Sequence, residues 1–185
     1  MDVAKAIKER RAFRSLIPAD IDKQVIRELA ESLQLAPSCF NNQPWRFVFV
    51  YDPKVLKKMH EVLFKGNEWA QKASLIIAVF SKKEDDCVIR DREYHQFDLG
   101  MSVGLLLLRA TEMGLVAHPI AGYSPKKTRE ILGIPKEYQV ITLIIVGRHT
   151  TEINPVLSEQ QKKAEKKRPL RKDLNDFVFH NHFKT

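Results

Sequence analysis

Hydrophobic residues recur at helical spacing in five segments of the chain, and residues that favour helix ends stand at the boundaries of these segments. Asp2 and Asp20 are placed to cap the first two segments. Pro53 suits the first turn of the third segment, and Gly133 closes the last. The fourth is the longest and is apolar nearly all round, which predicts a helix in the centre of the core or shared between subunits. The predicted helices are residues 2–10, 21–33, 53–64, 90–113 and 125–132.

Short apolar runs between these segments predict β-strands. Residues 75–80 form a continuous apolar run, as expected for a strand buried on both faces, and residues 140–146 give the strongest strand signal. Residues 46–51 contain the sequence Val-Phe-Val, which pleated surfaces favour. Residues 115–117 predict a brief strand, followed by a turn over 118–123.

The length and composition are those of one ordinary globular domain, but the charge is uneven. The chain has 185 residues and a net charge of +8. Residues 162–172 hold seven Lys or Arg and one acid, Glu165, and so contribute +6 of that total. A solvated tail or linker is the first interpretation of this window, and binding of an anionic ligand group is the second. Nucleic-acid binding comes third, because no nucleic-acid motif is recognised.

The sequence predicts a cytoplasmic protein without a membrane segment. No apolar run reaches the roughly 20 residues that cross a bilayer. The first five residues lack the apolar core of a signal peptide. We therefore expect Cys39 and Cys87 to be free thiols in a reducing cytosol.

Several common functional motifs are missing from the sequence. The six histidines form no HExxH pattern and two cysteines cannot make a four-Cys site, so no metal is expected. The seven glycines form neither a GxGxxG fingerprint nor a Walker loop. A Rossmann dinucleotide site and a P-loop are thereby excluded.

A cluster of arginines follows the first predicted helix. Arg10, Arg11 and Arg14 carry three guanidinium groups within five positions, and these groups repel one another unless they are solvated or share an anion. The alternative is that they are favourable charges at a helix C-terminus.

A loop between the second helix and the first strand is rich in polar side chains. Residues 36–45 contain one hydroxyl and three carboxamides, bounded by prolines, and carboxamides offer the donors and acceptors that a heterocycle edge requires. The alternative is a turn whose Asn side chains bond to their own backbone.

The predicted turn at 118–123 is a third polar interruption. Its Pro-Ile-Ala-Gly-Tyr sequence can present backbone N–H groups to a ligand with little obstruction from side chains. An ordinary strand-to-helix turn remains the alternative.

Together these segments resemble the nitroreductase family, whose members are FMN-dependent oxidoreductases that use NADH or NADPH. The resemblance covers nearly the whole chain, including an apolar end, residues 177–183, that is similar to the family's terminal arm. It rests on Arg10-Arg11-x-x-Arg14, Pro37-Ser38-x-x-Asn41-x-Gln43-Pro44-Trp45, Pro119-Ile120-Ala121-Gly122-Tyr123 and Arg171-Lys172.

The resemblance implies an α+β fold with a mainly antiparallel central sheet, helices on both sides and an intertwined homodimer. Residues 1–155 would form the FMN-binding part, and residues 156–185 a basic segment and an arm docking on the partner subunit. The implied activity is hydride transfer from NAD(P)H to flavin N5, followed by electron transfer to a nitroaromatic, a quinone or a similar small acceptor in a ping-pong mechanism.

The resemblance also implies which residues contact the cofactor, with no catalytic side chain beyond the flavin itself. Phe40 and Tyr123 would shape the substrate pocket, although both are equally good packing residues. The implied cofactor-binding residues are Arg10, Arg11, Arg14, Pro37, Ser38, Cys39, Asn41, Gln43, Asn67, Ala121, Gly122, Arg168 and Arg171, of which the 37–43 set would reach the flavin of the other subunit.

Three positions depart from the family pattern. Ala12 stands where Ser is common, so one hydroxyl contact to the flavin is lost. Ala121 stands where some members have Glu, and Asn67 aligns only with a one-residue gap.

Two other classes of function compete with the flavoenzyme. One is an FMN-binding storage or redox-sensing protein without significant turnover. The other is a basic dimeric module that binds nucleic acid through residues 162–172, which would be colourless and strongly salt-dependent. The sequence favours the flavoenzyme.

Overall fold

Residues 1–183 are described by a computed structural model with six α-helices, seven strands and short 3-10 turns. The strongest sequence patterns became the longest elements, α4 and β7. The helices are α1 (Val3–Glu9), α2 (Lys23–Gln34), α3 (Pro53–Met59), α4 (His95–Glu112), α5 (Pro125–Leu132) and α6 (Glu159–Lys166). The strands are β1 (Leu16–Ile17), β2 (Arg46–Val50), β3 (Leu75–Ser81), β4 (Val88–Ile89), β5 (Arg92–Glu93), β6 (Val116–Ile120) and β7 (Gln139–His149).

Five of the strands form one antiparallel sheet around β7. Strand β7 pairs with β3 along one side, and β3 pairs in turn with β2. Along its other side β7 pairs with β6, and the last two residues of β7 also pair with β1. Strands β4 and β5 form a separate hairpin. The sheet therefore brings the segment after α1, which contains β1, beside the end of β7.

Helices cover both faces of this sheet, because successive side chains of a strand point to opposite faces. On one face Ile77 and Ile144 pack in a cluster with Leu106 of α4. On the other face Ile76 packs in a cluster with Met59 of α3. All five side chains are almost fully buried, and burial of each such side chain contributes roughly 1.5–3 kcal/mol. The predicted α+β fold with helices on both sides is confirmed.

Most predicted helix ends hold, but the helix predicted over 53–64 ends at Met59, where a 3-10 turn (His60–Val62) follows it, and one cap is displaced. The Asp2 carboxylate accepts a hydrogen bond from the Lys5 backbone N–H, as predicted. The second helix is capped by Asp22, which accepts from Val25 N–H, and not by Asp20. Asp22 lies two positions after Asp20, and the helix begins directly after it, at Lys23.

The predicted helix over 90–113 is too long at its N-terminal end. Residues 88–93 form the β4–β5 hairpin, and the helix begins only at His95. Arg90 has φ +59°, a left-handed conformation that a continuous helix does not allow. The turn predicted over 118–123 is also shorter, because residues 118–120 belong to β6. Pro119 is tolerated there because β6 pairs on one side only, with β7.

The chain after β7 is only partly the solvated tail that its composition suggests. Helix α6 lies within it and buries Glu165 against the body of the protein. Beyond α6 the apolar residues Leu170, Leu174 and Phe177 are exposed. Within residues 167–183 the one element of regular secondary structure is a 3-10 turn, Leu174–Asp176. Docking of this arm on a partner subunit, and the division of the chain at residue 155, stay predictions. No helix within residues 1–183 is both long and apolar enough to cross a bilayer.

Candidate functional site

The arginine cluster and the basic C-terminal segment lie side by side. The Arg11 guanidinium donates to the backbone carbonyl of Ala164 in α6, at 2.6 Å. The Arg168 guanidinium donates to the carbonyls of Lys8 and Arg10, at 2.7 and 2.8 Å. These three contacts fix α6 and the segment after it on the end of α1, although about 150 positions of sequence separate the contacting residues.

One buried carboxylate organises this contact. Glu165 is 7% exposed, and its two oxygens accept hydrogen bonds from the backbone N–H groups of Arg14 and Ser15, at 2.8 and 3.0 Å. The N-terminus of helix α6 is fixed by a capping box, in which Ser158 and Gln161 exchange hydrogen bonds. The turn after α1 therefore has its backbone fixed by α6, and its arginine side chains are directed by that backbone.

Five arginines surround a cavity of about 530 Å³ between α1 and α6. Among residues 1–183, none of the five forms an ion pair with an acidic side chain. Desolvation by burial lowers the pKa of Arg10, and repulsion from Arg168 and Arg171 lowers that pKa further. Burial also lowers the pKa of Arg14, which Glu165 partly offsets. The lining residues are Arg10, Arg11, Ala12, Arg14, Ser158, Gln160, Gln161, Ala164, Arg168, Pro169 and Arg171.

An excess of positive charge of this kind is a favourable environment for an anion. Guanidinium groups that repel one another in a partly buried cavity are stabilised when an anion with several oxygens sits between them. Residues 162–172 are therefore not simply a solvated tail, because Glu165 is buried and Arg168 donates to the carbonyls of Lys8 and Arg10, while Lys163, Lys166 and Lys167 are exposed. The second interpretation, binding of an anionic ligand group, stays a prediction.

A chain of contacts leads from Arg14 to the Ala-Gly turn. The Arg14 guanidinium lies over the ring of Trp69, 5.9 Å from its centre. The Trp69 indole donates to Asn67 Oδ1 at 3.3 Å, and Asn67 Nδ2 donates to the Gly122 carbonyl at 2.9 Å. On the other side, the Gln161 amide of α6 donates to the Gly66 carbonyl at 2.9 Å. Arg14 and Gly122, predicted from two separate motifs, and Asn67, implied only by the family resemblance, are thus linked around one side of the site.

Gly122 is held tightly by its neighbours. Its carbonyl accepts from Asn67 and also from the Phe64 backbone N–H at 3.0 Å, so two donors already occupy it. A Cβ at this position would lie 2.3 Å from Asn67 Nδ2, which is well inside contact distance. A side chain at position 122 would therefore have to displace the Asn67 amide, whereas the φ angle of Gly122 does not itself call for glycine. Ala121 next to it is exposed.

His118 packs against Trp69 in the same region. Its ring stacks near Trp69, with ring centres 4.7 Å apart, and its Nδ1 lies 3.0 Å from the Phe13 carbonyl. Burial lowers the pKa of His118 to about 4, and the nearby positive charge of Arg14 contributes to this shift. His118 is therefore neutral at pH 7, and it adds no positive charge behind the arginines.

The Ser38–Gln43 loop forms a separate, strained part of the surface. Phe40, Asn41 and Gln43 have φ angles of +48°, +59° and +50°, and Phe40 is 87% exposed. The Ser38 hydroxyl accepts a hydrogen bond from the Gln43 backbone N–H at 2.9 Å, which closes the loop. Pro37, Ser38, Cys39, Asn41 and Gln43 do not line the arginine cavity of their own chain.

Two expectations for this part of the chain are answered by the structure. Cys39 and Cys87 are not free thiols, because a disulfide joins them. Sequence spacing alone did not reveal their proximity, since 48 positions separate them. Tyr123 is 3% exposed and its hydroxyl donates to the Val140 carbonyl at 3.0 Å, so it has the packing role rather than an open position in a pocket.

Four side chains that organise the site were not singled out from the sequence. Glu165 carried a signal, because it is the single acid in a strongly basic window. The other three, Trp69, His118 and Gln161, act through contacts that only the fold creates.

Comparison with known proteins identifies the family. The family model described as "Nitroreductase family" matches residues 7–79 and 64–148. The chain belongs to the nitroreductase family. It is 25% identical over 186 residues to an NADH dehydrogenase of Thermus thermophilus, with 84% of this chain and 90% of that protein covered.

Solved structures of similar proteins agree with this assignment. The crystal structure titled "oxidoreductase containing FMN" matches all of this chain and 93% of its own, with a TM-score of 0.84 and 26% identity. A protein of Exiguobacterium sibiricum solved in complex with FMN matches 98% of both chains, with a TM-score of 0.80 and 21% identity. At that identity the second likeness shows the nitroreductase fold alone.

Proposed function

We propose that this member of the nitroreductase family is an FMN-dependent NAD(P)H oxidoreductase that reduces a small electron acceptor such as a nitroaromatic or a quinone. The observation that carries the proposal is the cavity lined by five arginines without acidic partners. The FMN-containing relatives and the nicotinamide named for the Thermus protein support the cofactor and the hydride donor.

The arginine cavity fits the phosphate end of FMN. Arg10, Arg168 and Arg171 repel one another in the protein alone, and a phosphate dianion would replace that repulsion with charge-assisted hydrogen bonds. One guanidinium nitrogen of Arg11 donates to the Ala164 carbonyl, and its other N–H groups can bind the ligand. Arg14, between this cavity and Trp69, would bind the ribityl chain or the pyrimidine edge.

The Ala121–Gly122 turn fits the reactive edge of the flavin ring. Because two donors occupy the Gly122 carbonyl, the polar group that Gly122 can offer a ligand is its N–H. A donor there would stabilise the negative charge that develops near flavin N5 during reduction. The side-chain amide of Asn67 is used to hold Gly122, so we assign Asn67 a positioning role rather than a ring contact.

The chemistry itself would belong to the cofactor: bound FMN would supply a hydride acceptor at N5 for the nicotinamide and a source of electrons for the second substrate, in a ping-pong sequence. The protein's residues would bind the flavin, orient it and tune its reactivity. The arginines hold the phosphate, the turn presents N–H groups, and the neutral His118 keeps the region behind Trp69 free of further charge. No general base among the residues of this chain is required.

The second half of the site would come from a partner subunit. The Ser38–Gln43 loop, with Phe40 almost fully exposed, does not reach the arginine cavity of its own chain. The exposed apolar residues of the C-terminal arm, among them Leu170 at 92%, are those that a subunit interface would cover. A homodimer in which each Ser38–Gln43 loop covers the partner's flavin accounts for both observations.

Steady-state kinetics and light scattering test this proposal together. The FMN-loaded protein should oxidise NADH or NADPH with a nitroaromatic or quinone acceptor, and double-reciprocal plots at several acceptor concentrations should be parallel. Light scattering should give twice the chain mass. Intersecting lines would contradict the ping-pong sequence, and a monomer that turns over at full rate would contradict the shared site. Bound FMN with negligible NAD(P)H oxidation would favour the storage or sensor alternative.

A further inference from the structure

The Cys39–Cys87 disulfide ties the exposed Ser38–Gln43 loop to a second exposed segment. Cys87 lies just before the β4–β5 hairpin, which pairs only with itself. Beside the disulfide, the Asn42 side-chain amide donates to Asp86 Oδ1 at 3.2 Å. The same amide also donates to Cys87 Sγ at 3.5 Å, so the loop and the hairpin segment are held together by one covalent bond and two exposed polar contacts of Asn42.

The loop has a conformation that needs such restraint. Three of its six residues, Phe40, Asn41 and Gln43, are non-glycine residues with positive φ, a region that L-residues disfavour. Within the loop, the Ser38 hydroxyl and short backbone turns hold this shape. Outside it, the buried Asp98 carboxylate of α4 accepts from the Cys39 backbone N–H at 2.6 Å.

We propose that Cys39 and Cys87 are a reversible thiol–disulfide pair that locks the Ser38–Gln43 loop in its flavin-binding conformation when oxidised and releases it when reduced. The pair lies on the surface of the fold rather than in either hydrophobic cluster, and both residues are only half-buried. Cys87, which the proposed shared site does not use, comes directly before the exposed Val88 and Ile89, so a thiolate can reach its sulfur, as exchange requires.

The chemical step is thiol–disulfide exchange with a dithiol reductant. Attack by one thiolate of the dithiol breaks the Cys39–Cys87 bond and forms a mixed disulfide, and the second thiol of the reductant then releases it. Two electrons and two protons pass to the protein, giving two thiols, while the reductant becomes a disulfide. Oxidation by a disulfide of the same class reverses the step.

The effect on the cofactor rests on the proposed function, while the effect on the loop does not. A released loop samples other conformations and must be ordered again when flavin binds, which weakens binding. We expect the FMN dissociation constant to rise about tenfold on reduction, which corresponds to about 1.4 kcal/mol.

The test uses the full-length protein in graded mixtures of reduced and oxidised dithiothreitol, with EDTA present. The chelator is needed because Cys39, Cys87 and Asp86 place potential metal ligands within 4.8 Å of one another. Alkylation followed by mass spectrometry counts thiols, hydrogen exchange reports on residues 38–43, and flavin fluorescence gives the FMN dissociation constant. Cys87→Ser should resemble the reduced state in every mixture. Val88→Ser, at an exposed neighbouring position, keeps the disulfide and serves as the matched control.

The proposal expects one transition between zero and two thiols per chain, faster exchange in residues 38–43 of the reduced protein and of Cys87→Ser, and unchanged exchange in β3. A pair that does not interconvert, or a loop whose exchange is the same in both states, would overturn the lock. FMN bound equally well in both states would overturn the coupling to flavin. FMN bound in neither state would overturn the proposed function, while thiol counts and exchange would still decide the lock itself.

Discussion

The carboxylate of Glu165 accepts a hydrogen bond from the backbone N–H of Ser15 at 3.0 Å, across 150 positions of sequence. Its second oxygen does the same for Arg14 N–H. A single buried acid of α6 thus fixes the backbone of the turn that carries the arginine cluster, and the composition of residues 162–172, basic except for Glu165, acquires a structural explanation.

Replacing Glu165 by Gln should destabilise the fold. The Gln side chain has one acceptor oxygen, so its amide would face one of the two N–H groups that the carboxylate satisfies. A lost charged hydrogen bond with an unsatisfied partner costs about 1–3 kcal/mol of unfolding free energy, which urea titration without FMN measures. Glu159→Gln, on an exposed position of the same helix, is the control. Equal urea midpoints for the two variants would contradict the role given to Glu165.

Replacing Arg14 by Ala should weaken FMN binding much more than it lowers stability. Arg14 makes no ion pair among residues 1–183, so its removal leaves no acidic partner unsatisfied in the protein alone. Loss of a charged hydrogen bond to the ligand corresponds to about tenfold or more in the dissociation constant. Fluorescence titration with FMN, compared with Arg27→Ala on the exposed face of α2, measures the effect. An unchanged dissociation constant would remove Arg14 from the site.

Gly122 and Asn67 should behave as a coupled pair. A methyl group at Gly122 would displace the Asn67 amide and break the hydrogen bond to the Gly122 carbonyl, so Gly122→Ala should cost about 1 kcal/mol of stability. On an Asn67→Ala background the same change should cost much less, because the clash is gone. A double-mutant cycle of urea unfolding and FMN affinity measures the coupling. Additive effects would show that the two residues act independently.

The buried His118 should make the protein less stable in mild acid. Its pKa is depressed to about 4 in the folded protein, against about 6.5 in an unfolded chain, so the unfolded state binds the extra proton between these values. Stability contributed by neutral His118 is present above pH 6.5 and is lost as the pH falls toward 4, by about 3 kcal/mol at most. Urea unfolding from pH 7 to pH 4 should show a shallower decline for His118→Gln than for the control His182→Gln. Parallel curves would contradict the depressed pKa.

The sequence predicted four of the five strands of the main sheet and the arginine cluster because these signals are local, whereas β1, with two residues, is too short to give a pattern. The apolar runs at 75–80 and 140–146 became β3 and β7, and the first helix began at its predicted cap. Family resemblance supplied the α+β arrangement, which periodicity alone does not determine.

What the sequence did not predict depends on contacts between distant positions. The 48-residue separation of Cys39 and Cys87 hid their disulfide, and burial of Glu165 needed the packing of α6 on the turn after α1. The late start of α4 has a local cause at Arg90, but a non-glycine residue with positive φ gives no clear sequence signal. The role of each predicted flavin contact stays a prediction.

We propose above that this chain binds FMN and that NAD(P)H reduces the bound flavin, which an acceptor then oxidises again. The measurement that tests it most directly is the visible absorption spectrum of the purified, FMN-reconstituted protein under anaerobic conditions, before and after addition of NADH and, separately, of NADPH. The absorption bands of protein-bound flavin should bleach with at least one nicotinamide and return when a nitroaromatic or quinone is added. A protein that retains no flavin after reconstitution, or bound flavin that stays oxidised with both nicotinamides, would contradict it.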